Sequence, residues 1–393
     1  MKFNQRVLNL QPEGAYAVLA RAQELEARGR EVIHLEIGQP DFPTFEHISK
    51  SGMAAIKDGQ TRYSPPAGLP SLREVIAVDA GQRRGIDIAP NQVVVGPGAK
   101  PALFFPTMAL IGQGDEVIYP DPGFPTYAAM VAVAGGVPVP VPVREEKGFS
   151  FDIEEFDKLV NERTKLIILN SPANPTGSVI PIDDLEHIAA AAIKFDSWVI
   201  SDEIYARLSY DDRPVPSIAA LPGMGARTII VDGFSKTYAM TGWRLGYGIM
   251  PEDLAERVTL LLTHSIGCTA TFTQIAGMAA LTGDQIMVAE VVAEFQQRRD
   301  RMVAGLNAIP GVVCQVPQGA FYTFPNVSSF GISSAEIARR LLDDGSVAVL
   351  PGTDFGRFGK GYLRLCYATS LTKIDLALER IAQVLSRTSA QHG

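Results

Sequence analysis

Val231-Asp-Gly-Phe-Ser-Lys-Thr-Tyr-Ala-Met-Thr-Gly-Trp-Arg-Leu-Gly-Tyr247 is the stretch around which the rest of this chain is organised. Thr228-Ile-Ile-Val231, β-branched throughout, leads into it and reads as a buried strand. The strand stops at a loop holding Ser235 and Lys236, and Thr241-Gly-Trp-Arg244 follows. A lysine amine just past the end of an apolar strand is placed for chemistry, and Ser235 and Arg244 suit an anion beside it. Most lysines are solvated surface groups, so the reading depends on what stands at the other strand ends.

Those ends carry polar residues in turn. Trp198-Val-Ile200 reads as a second buried strand and runs into Ser201-Asp-Glu-Ile-Tyr205. Asp202 in that position is costly to bury without a partner, its ordinary alternative being a helix N-cap. Lys165-Leu-Ile-Ile-Leu-Asn170 is the continuous apolar run of a strand covered on both faces. It leads to Ser171-Pro-Ala-Asn-Pro-Thr-Gly177, where Asn174 opens a turn tetrapeptide. Asn91 to Val95 is a short strand, followed by Gly96-Pro-Gly-Ala-Lys-Pro101 opening a helix. Free backbone N–H groups at Gly98, Ala99 and Lys100, with the helix dipole behind them, make an anion cradle. The spacing is neither the dinucleotide fingerprint nor the P-loop. Glu116 to Tyr119 ends in Pro120-Asp-Pro-Gly-Phe-Pro-Thr-Tyr127, with Phe124 just beyond it.

Between these strands lie helical patterns at 12–30, 47–57, 69–84, 126–134, 152–161 and 181–195. Glu31 to Ile37 reads as a short strand ending at Gly38, and Val137 to Val143 as an edge strand because Pro alternates with Val. From Pro251 to about Ala308 the pattern is long helices. The part from Val312 to Leu385 mixes strands (320–324, 347–350, 362–367) with helices (334–343, 373–386). Alternating strands and helices predict an α/β fold with a parallel sheet, whose ligand site lies at the C-terminal edge of the strands.

Composition narrows the function. A chain of 393 residues with 46% apolar residues suits a core domain and a smaller one. The net charge is −8 and no Lys/Arg-rich run is present, which argues against nucleic-acid and membrane-surface binding. No apolar run reaches the roughly 20 residues of a transmembrane helix, and the start lacks a signal-peptide core. Cys268, Cys314 and Cys366 are scattered, odd in number and without a Cys-x-x-Cys pair, which reads as reduced thiols in a cytoplasmic protein. The five histidines show no metal-ligand spacing.

With these motifs in order, the chain resembles the fold-type I pyridoxal-phosphate aminotransferases, in the class I branch that includes bacterial aspartate aminotransferases. The resemblance runs from about Gly38 to Ser370. It implies a large cofactor-binding domain, residues 46–290, built on a mostly parallel sheet of the seven-stranded type flanked by helices. A small α+β domain would form from 1–45 and 291–393. It implies that Lys236 bonds the cofactor, that Asp202 meets its ring nitrogen, and that Tyr205 and Asn174 hold its 3′-oxygen. Phe124 would stack on the ring, where aspartate enzymes of the branch commonly carry tryptophan. Gly98, Ala99, Lys100, Ser235 and Arg244 would hold the phosphate, joined by Tyr63 reaching from the other subunit of a homodimer. Arg364, Asn174 and Gly38 would receive the substrate α-carboxylate, and Lys100 matches a lysine that meets a distal carboxylate in some relatives.

The function expected from this set is transfer of an amino group from an L-amino acid to a 2-oxo acid by a ping-pong mechanism. Aspartate or glutamate is one expected donor, with alanine, aromatic and branched-chain donors open, and 2-oxoglutarate or pyruvate the acceptor. The same scaffold also supports a lyase, decarboxylase or oxidase. A non-catalytic relative would have lost Lys236, Asp202 or Arg364, all of which are present.

Overall fold

The computed structural model describes residues 3, 5–8, 10 and 12–390. β1 (Ile33–His34) lies apart from the central sheet, which is built from β2 (Val93–Gly96), β3 (Glu116–Asp121), β4 (Val137–Pro142), β5 (Thr164–Asn170), β6 (Trp198–Asp202), β7 (Thr228–Gly233) and β8 (Gly246–Ile249). Its strand order is β2-β8-β7-β6-β5-β3-β4. The pairs β3–β4, β3–β5, β5–β6 and β6–β7 are parallel, and β8 runs antiparallel to both of its neighbours. The proline-rich β4 ends the sheet, where a missing N–H costs no ladder bond.

The apolar runs of β5, β6 and β7 are explained by cover on both faces. Leu166, Ile168, Ile200, Ile229 and Val231 pack to one side with Val131, Leu254 and Val258. Ile167, Leu169 and Val199 alternate to the other side against Leu185, Ile188 and Ala192. Each such fully buried side chain is worth about 1.5–3 kcal/mol relative to exposure.

A second layer of short strands follows: β9 (Tyr322–Thr323), β10 (Val347–Ala348), β11 (Leu350–Pro351) and β12 (Leu363–Cys366). β12 lies between β11 and β9, antiparallel to both, while β1 pairs in parallel with β10 through Ile33 and Val347. The N-terminal segment is thus tied to the C-terminal one. Among the described residues, no single helix is long and apolar enough to cross a membrane.

Three local expectations shift. The helix expected over 12–30 spans Gly14–Glu26, because the chain leaves helical geometry before Gly29, which sits at φ +82°. The strand expected over 31–37 is only Ile33–His34 long. Beyond it Leu35 bridges Ala348 and Cys366 through its backbone, and the chain then turns away carrying Gly38. β8 was not expected as a strand at all, since two of its four residues are glycine. Close packing requires one of them: a Cβ on Gly246 would lie 2.5 Å from the backbone nitrogen of Ala99.

That contact makes a prediction. Gly246→Ala must push the loop after β2 aside, so equilibrium urea unfolding should show a loss of about 1–3 kcal/mol. A change within 0.5 kcal/mol, on the order of a neutral surface substitution, would contradict it.

Candidate active site

Because β2, β3, β5, β6 and β7 all run the same way, their C-terminal ends share one edge of the sheet, and antiparallel β8 begins there. The loops leaving that edge carry Ala99 and Lys100, Phe124, Asn174, Tyr205, Ser235 and Lys236, with Arg244 just before β8. All of them, with Asp202 at the end of β6, line one cavity of about 760 Å³. Gly38 and Arg364 reach the same cavity from the β1 and β12 side. Residues from seven separate segments therefore meet, as strand-end placement predicts.

Lys236 Nζ donates to the carbonyl of Gly38 at 2.7 Å and lies 5.8 Å from the ring centres of Tyr205 and Phe321. Burial, reinforced by the positive charges of Arg364 and Arg244, brings its pKa down to about 8. Asp202 shows the opposite case. Burial pushes its carboxyl up to about 6, although the Tyr127 hydroxyl donates to Oδ2 at 2.7 Å and the Ile204 N–H to Oδ1 at 3.3 Å. Neither donor is charged. The Asn170 side chain holds the Asp202 carbonyl at 3.0 Å, fixing the strand end itself.

Arg364 is buried, yet among the described residues no acid forms an ion pair with it. It donates to two neutral acceptors, the Glu36 carbonyl and Asn174 Oδ1 (3.3 Å), and its Nε is left without a partner. Its guanidinium stacks over Tyr322 and Phe355. A buried cation without a counter-charge is expensive unless an anion arrives. Asn174 accepts from Arg364 through its oxygen, which leaves its amide hydrogens free to donate. Tyr205 is buried with its hydroxyl 2.7 Å from that of Tyr322.

The helix Lys100–Leu110 begins at the cradle, with Ala99 as its N-cap. Gly98 has φ +88°, and a Cβ there would meet the Arg244 guanidinium at 2.4 Å, so glycine lets that side chain fold against the loop. Arg244 donates to the carbonyls of Thr241 (2.9 Å) and Pro97 (3.4 Å) and has no acidic partner in an ion pair among the described residues. Three expected residues stand differently. Gly98, one position before Ala99 in the sequence, does not line the cavity. Tyr63 does not line the cavity and is 98% exposed. Lys100 lines it, but its amine is ion-paired with Glu13 and lies 5.2 Å from the Phe124 ring centre.

The sequence reading missed several contributors. Tyr127 and Asn170 hold Asp202, Tyr322 meets Tyr205, and Glu13 meets Lys100. Tyr127 and Asn170 were visible as polar residues bordering strand ends. Tyr322 and Glu13 carried no local signal, since each acts across more than 80 positions of sequence.

An α/β sheet whose C-terminal edge gathers a depressed amine, an uncompensated buried carboxylate and an anion cradle defines an enzyme of amino-group chemistry. Comparison with known proteins agrees. The family model "Aminotransferase class I and II" matches residues 30–381, and the chain belongs to that family. An aspartate aminotransferase of Pyrococcus abyssi is 42% identical over 365 residues, covering 92% of this chain and 94% of the relative. The structure of an aromatic aminotransferase from Pyrococcus horikoshii matches with a TM-score of 0.89 at 41% identity, over 94% of this chain and 99% of that one. Thermus thermophilus aspartate aminotransferase with maleate matches at 0.94 and 37% identity, over 98% and 100%. The chain is an aminotransferase, of a class whose members work with pyridoxal phosphate.

Two predictions follow from the electrostatics. In the cofactor-free protein, Lys236 should react with an amine-directed acylating reagent at a rate that rises through pH 8, as peptide mapping can follow, whereas ordinary lysines titrate near ~10.4. The Asp202 carboxyl ionises near ~4 in the unfolded chain and near 6 in the folded one. Between those values the folded state binds more protons, so stability falls as pH rises, and the cost persists in full above pH 6. Asp202→Asn cannot ionise. Without cofactor it should be more stable than the parent at pH 8 by up to about 3 kcal/mol in urea unfolding, with no gain at pH 4.

Proposed function

We propose that the cavity binds pyridoxal phosphate and uses it to move an amino group from an L-amino acid to a 2-oxo acid, the two substrates taken in turn. Pyridoxal phosphate, when bound, supplies an electron sink that makes the substrate α-proton acidic. Lys236 would bond it, Asp202 would meet its ring nitrogen, and Tyr205 and Asn174 its 3′-oxygen. Phe124 would cover the ring. The phosphate would lie among Gly98, Ala99, the Lys100 N–H, Ser235 and Arg244, at the positive end of the helix. The residues fit the group because the charges they leave unmet, one buried carboxylate and two arginines, are complementary to a pyridinium and to two anions.

The chain's own chemistry centres on two atoms. Arg364 offers its guanidinium to the substrate carboxylate, with Asn174 beside it and Gly38 lining the same cavity, and so fixes where the α-carbon lies. Lys236 Nζ, with a pKa near 8, is neutral often enough at physiological pH to take a proton and basic enough to hold it before returning it. The Gly38 carbonyl aims that nitrogen. Amino acid and oxo acid both present a carboxylate to the same arginine, so they exclude each other from the site. That exclusion is the structural basis of a ping-pong cycle.

The donors are amino acids with dicarboxylic or aromatic side chains: Lys100 lines the cavity together with Tyr16, Leu19 and Phe124. The active unit is a homodimer in which the exposed Tyr63 reaches the partner's phosphate site. Residues 46–290 act as the large domain and 1–45 with 291–393 as the small one. Cys268, Cys314 and Cys366 are free, which suits a reducing cytoplasm.

The observation that carries this reading is the meeting of the depressed amine of Lys236 with the unpaired charges of Asp202 and Arg364 in one cavity. The experiment is an absorption spectrum of protein loaded with pyridoxal phosphate while single amino acids are added. One class of donors should bleach the yellow band, and a 2-oxo acid should restore it. Lys236→Ala should lower kcat by at least about a thousandfold. Arg364→Ala should raise KM for donor and acceptor alike by roughly ten- to a hundredfold, the value of one charged hydrogen-bonded contact. Ammonia, CO2 or peroxide released without any oxo acid would sink the proposal.

A further inference from the structure

The lining of the cavity includes Glu13, Ala15, Tyr16 and Leu19 as well as Lys100 and Phe124. Among the described residues, four cations line the cavity, and three have roles in the proposed function: Lys236 bonds the cofactor, Arg364 takes the α-carboxylate, and Arg244, folded against Thr241 and Pro97, takes the phosphate. That leaves Lys100, among the lining residues, for a substrate side chain. It is already engaged, because Glu13 Oε1 forms an ion pair with its Nζ, and the Thr126 hydroxyl donates to the same oxygen at 3.4 Å. The two side chains keep 49% and 28% of their surface exposed, so the pair is weak enough to be opened.

We propose that Glu13 is a specificity-determining residue: an internal carboxylate that occupies Lys100 and thereby disfavours substrates bearing a second carboxylate. This rests on the aminotransferase reading above and names the substrate class of that site. A dicarboxylate must either displace Glu13 from Lys100 or sit beside its negative charge, and both subtract from binding. An apolar or aromatic side chain does neither. It lies against Tyr16, Leu19 and Phe124 while the Glu13–Lys100 pair stays closed, so the charged wall presents no net charge to it. The preferred substrates are therefore those with uncharged, apolar or aromatic side chains, dicarboxylates being accepted at a penalty.

The test compares the holoenzyme with its Glu13→Gln, Glu13→Asp and Lys100→Gln variants. Glu13→Gln should raise kcat/KM for L-aspartate and 2-oxoglutarate about tenfold, leaving L-phenylalanine and pyruvate within about twofold. Glu13→Asp, which keeps the charge, should stay near the parent ratio, and Lys100→Gln should lower the dicarboxylates selectively. Calorimetric titration with maleate, which needs no turnover, should give a Kd lowered by the same factor in Glu13→Gln. An unchanged aspartate-to-phenylalanine ratio and an unchanged maleate Kd, or an equal fall for all substrates, would overturn the assignment. Failure of the underlying reading looks different: the parent would transfer no amino group at all, while the maleate titrations would still report on Glu13.

Discussion

The interaction on which this molecule turns is one the polypeptide leaves unfinished: the buried carboxylate of Asp202 at the end of β6, held by the Tyr127 hydroxyl and the Ile204 N–H and, among the described residues, by no cation. Its acidic neighbours are treated otherwise. Arg84 pairs with Glu203, and Arg83 and Arg84 both pair with Asp232, so those two buried acids are neutralised within the protein. The fold thus supports three carboxylates close together on adjacent strand ends and leaves one unmet. An unmet charge in a low-dielectric site is a cost to stability, and it persists where a ligand repays it.

Arg364 repeats the pattern with the opposite sign. Its neutral acceptors orient it without discharging it, and its Nε has no partner among the described residues. Lys236 shares the cavity with both the unmet anion and the unmet cation, and its amine is depressed because burial and two arginines oppose its protonation. The parallel sheet is what makes this possible. Strands running the same way deliver their C-terminal loops to one edge, so residues more than 100 positions apart share one cavity without any long excursion of the chain. β8, the antiparallel exception, brings Arg244 back to that edge and lets Gly246 press against the cradle.

Much of this was legible in sequence. The apolar runs of β5, β6 and β7 announced a doubly covered sheet, and the polar residues bordering them (Asn174, Asp202, Tyr205, Ser235, Lys236) fall where strand-end logic puts a ligand. The expected elements reappear with boundaries moved by a few residues, because caps and backbone bridges, as at Ala27 and Leu35, decide where an element stops. β8 escaped because glycine, which tertiary packing demands at position 246, is a poor strand former in isolation.

By itself, then, the sequence determined the kinds of residue available at each strand end and the α/β order that gathers them, since both follow from local periodicity and from residue chemistry. Only the tertiary structure decided which of those charges are satisfied. Nothing local distinguishes Asp202 from Glu203 beside it, or reveals that Lys100 is spoken for by Glu13 while Arg364 is not. Those outcomes depend on side chains brought together from 75 to 190 positions apart, and Coulomb interactions are set by distance in space and by burial rather than by separation along the chain.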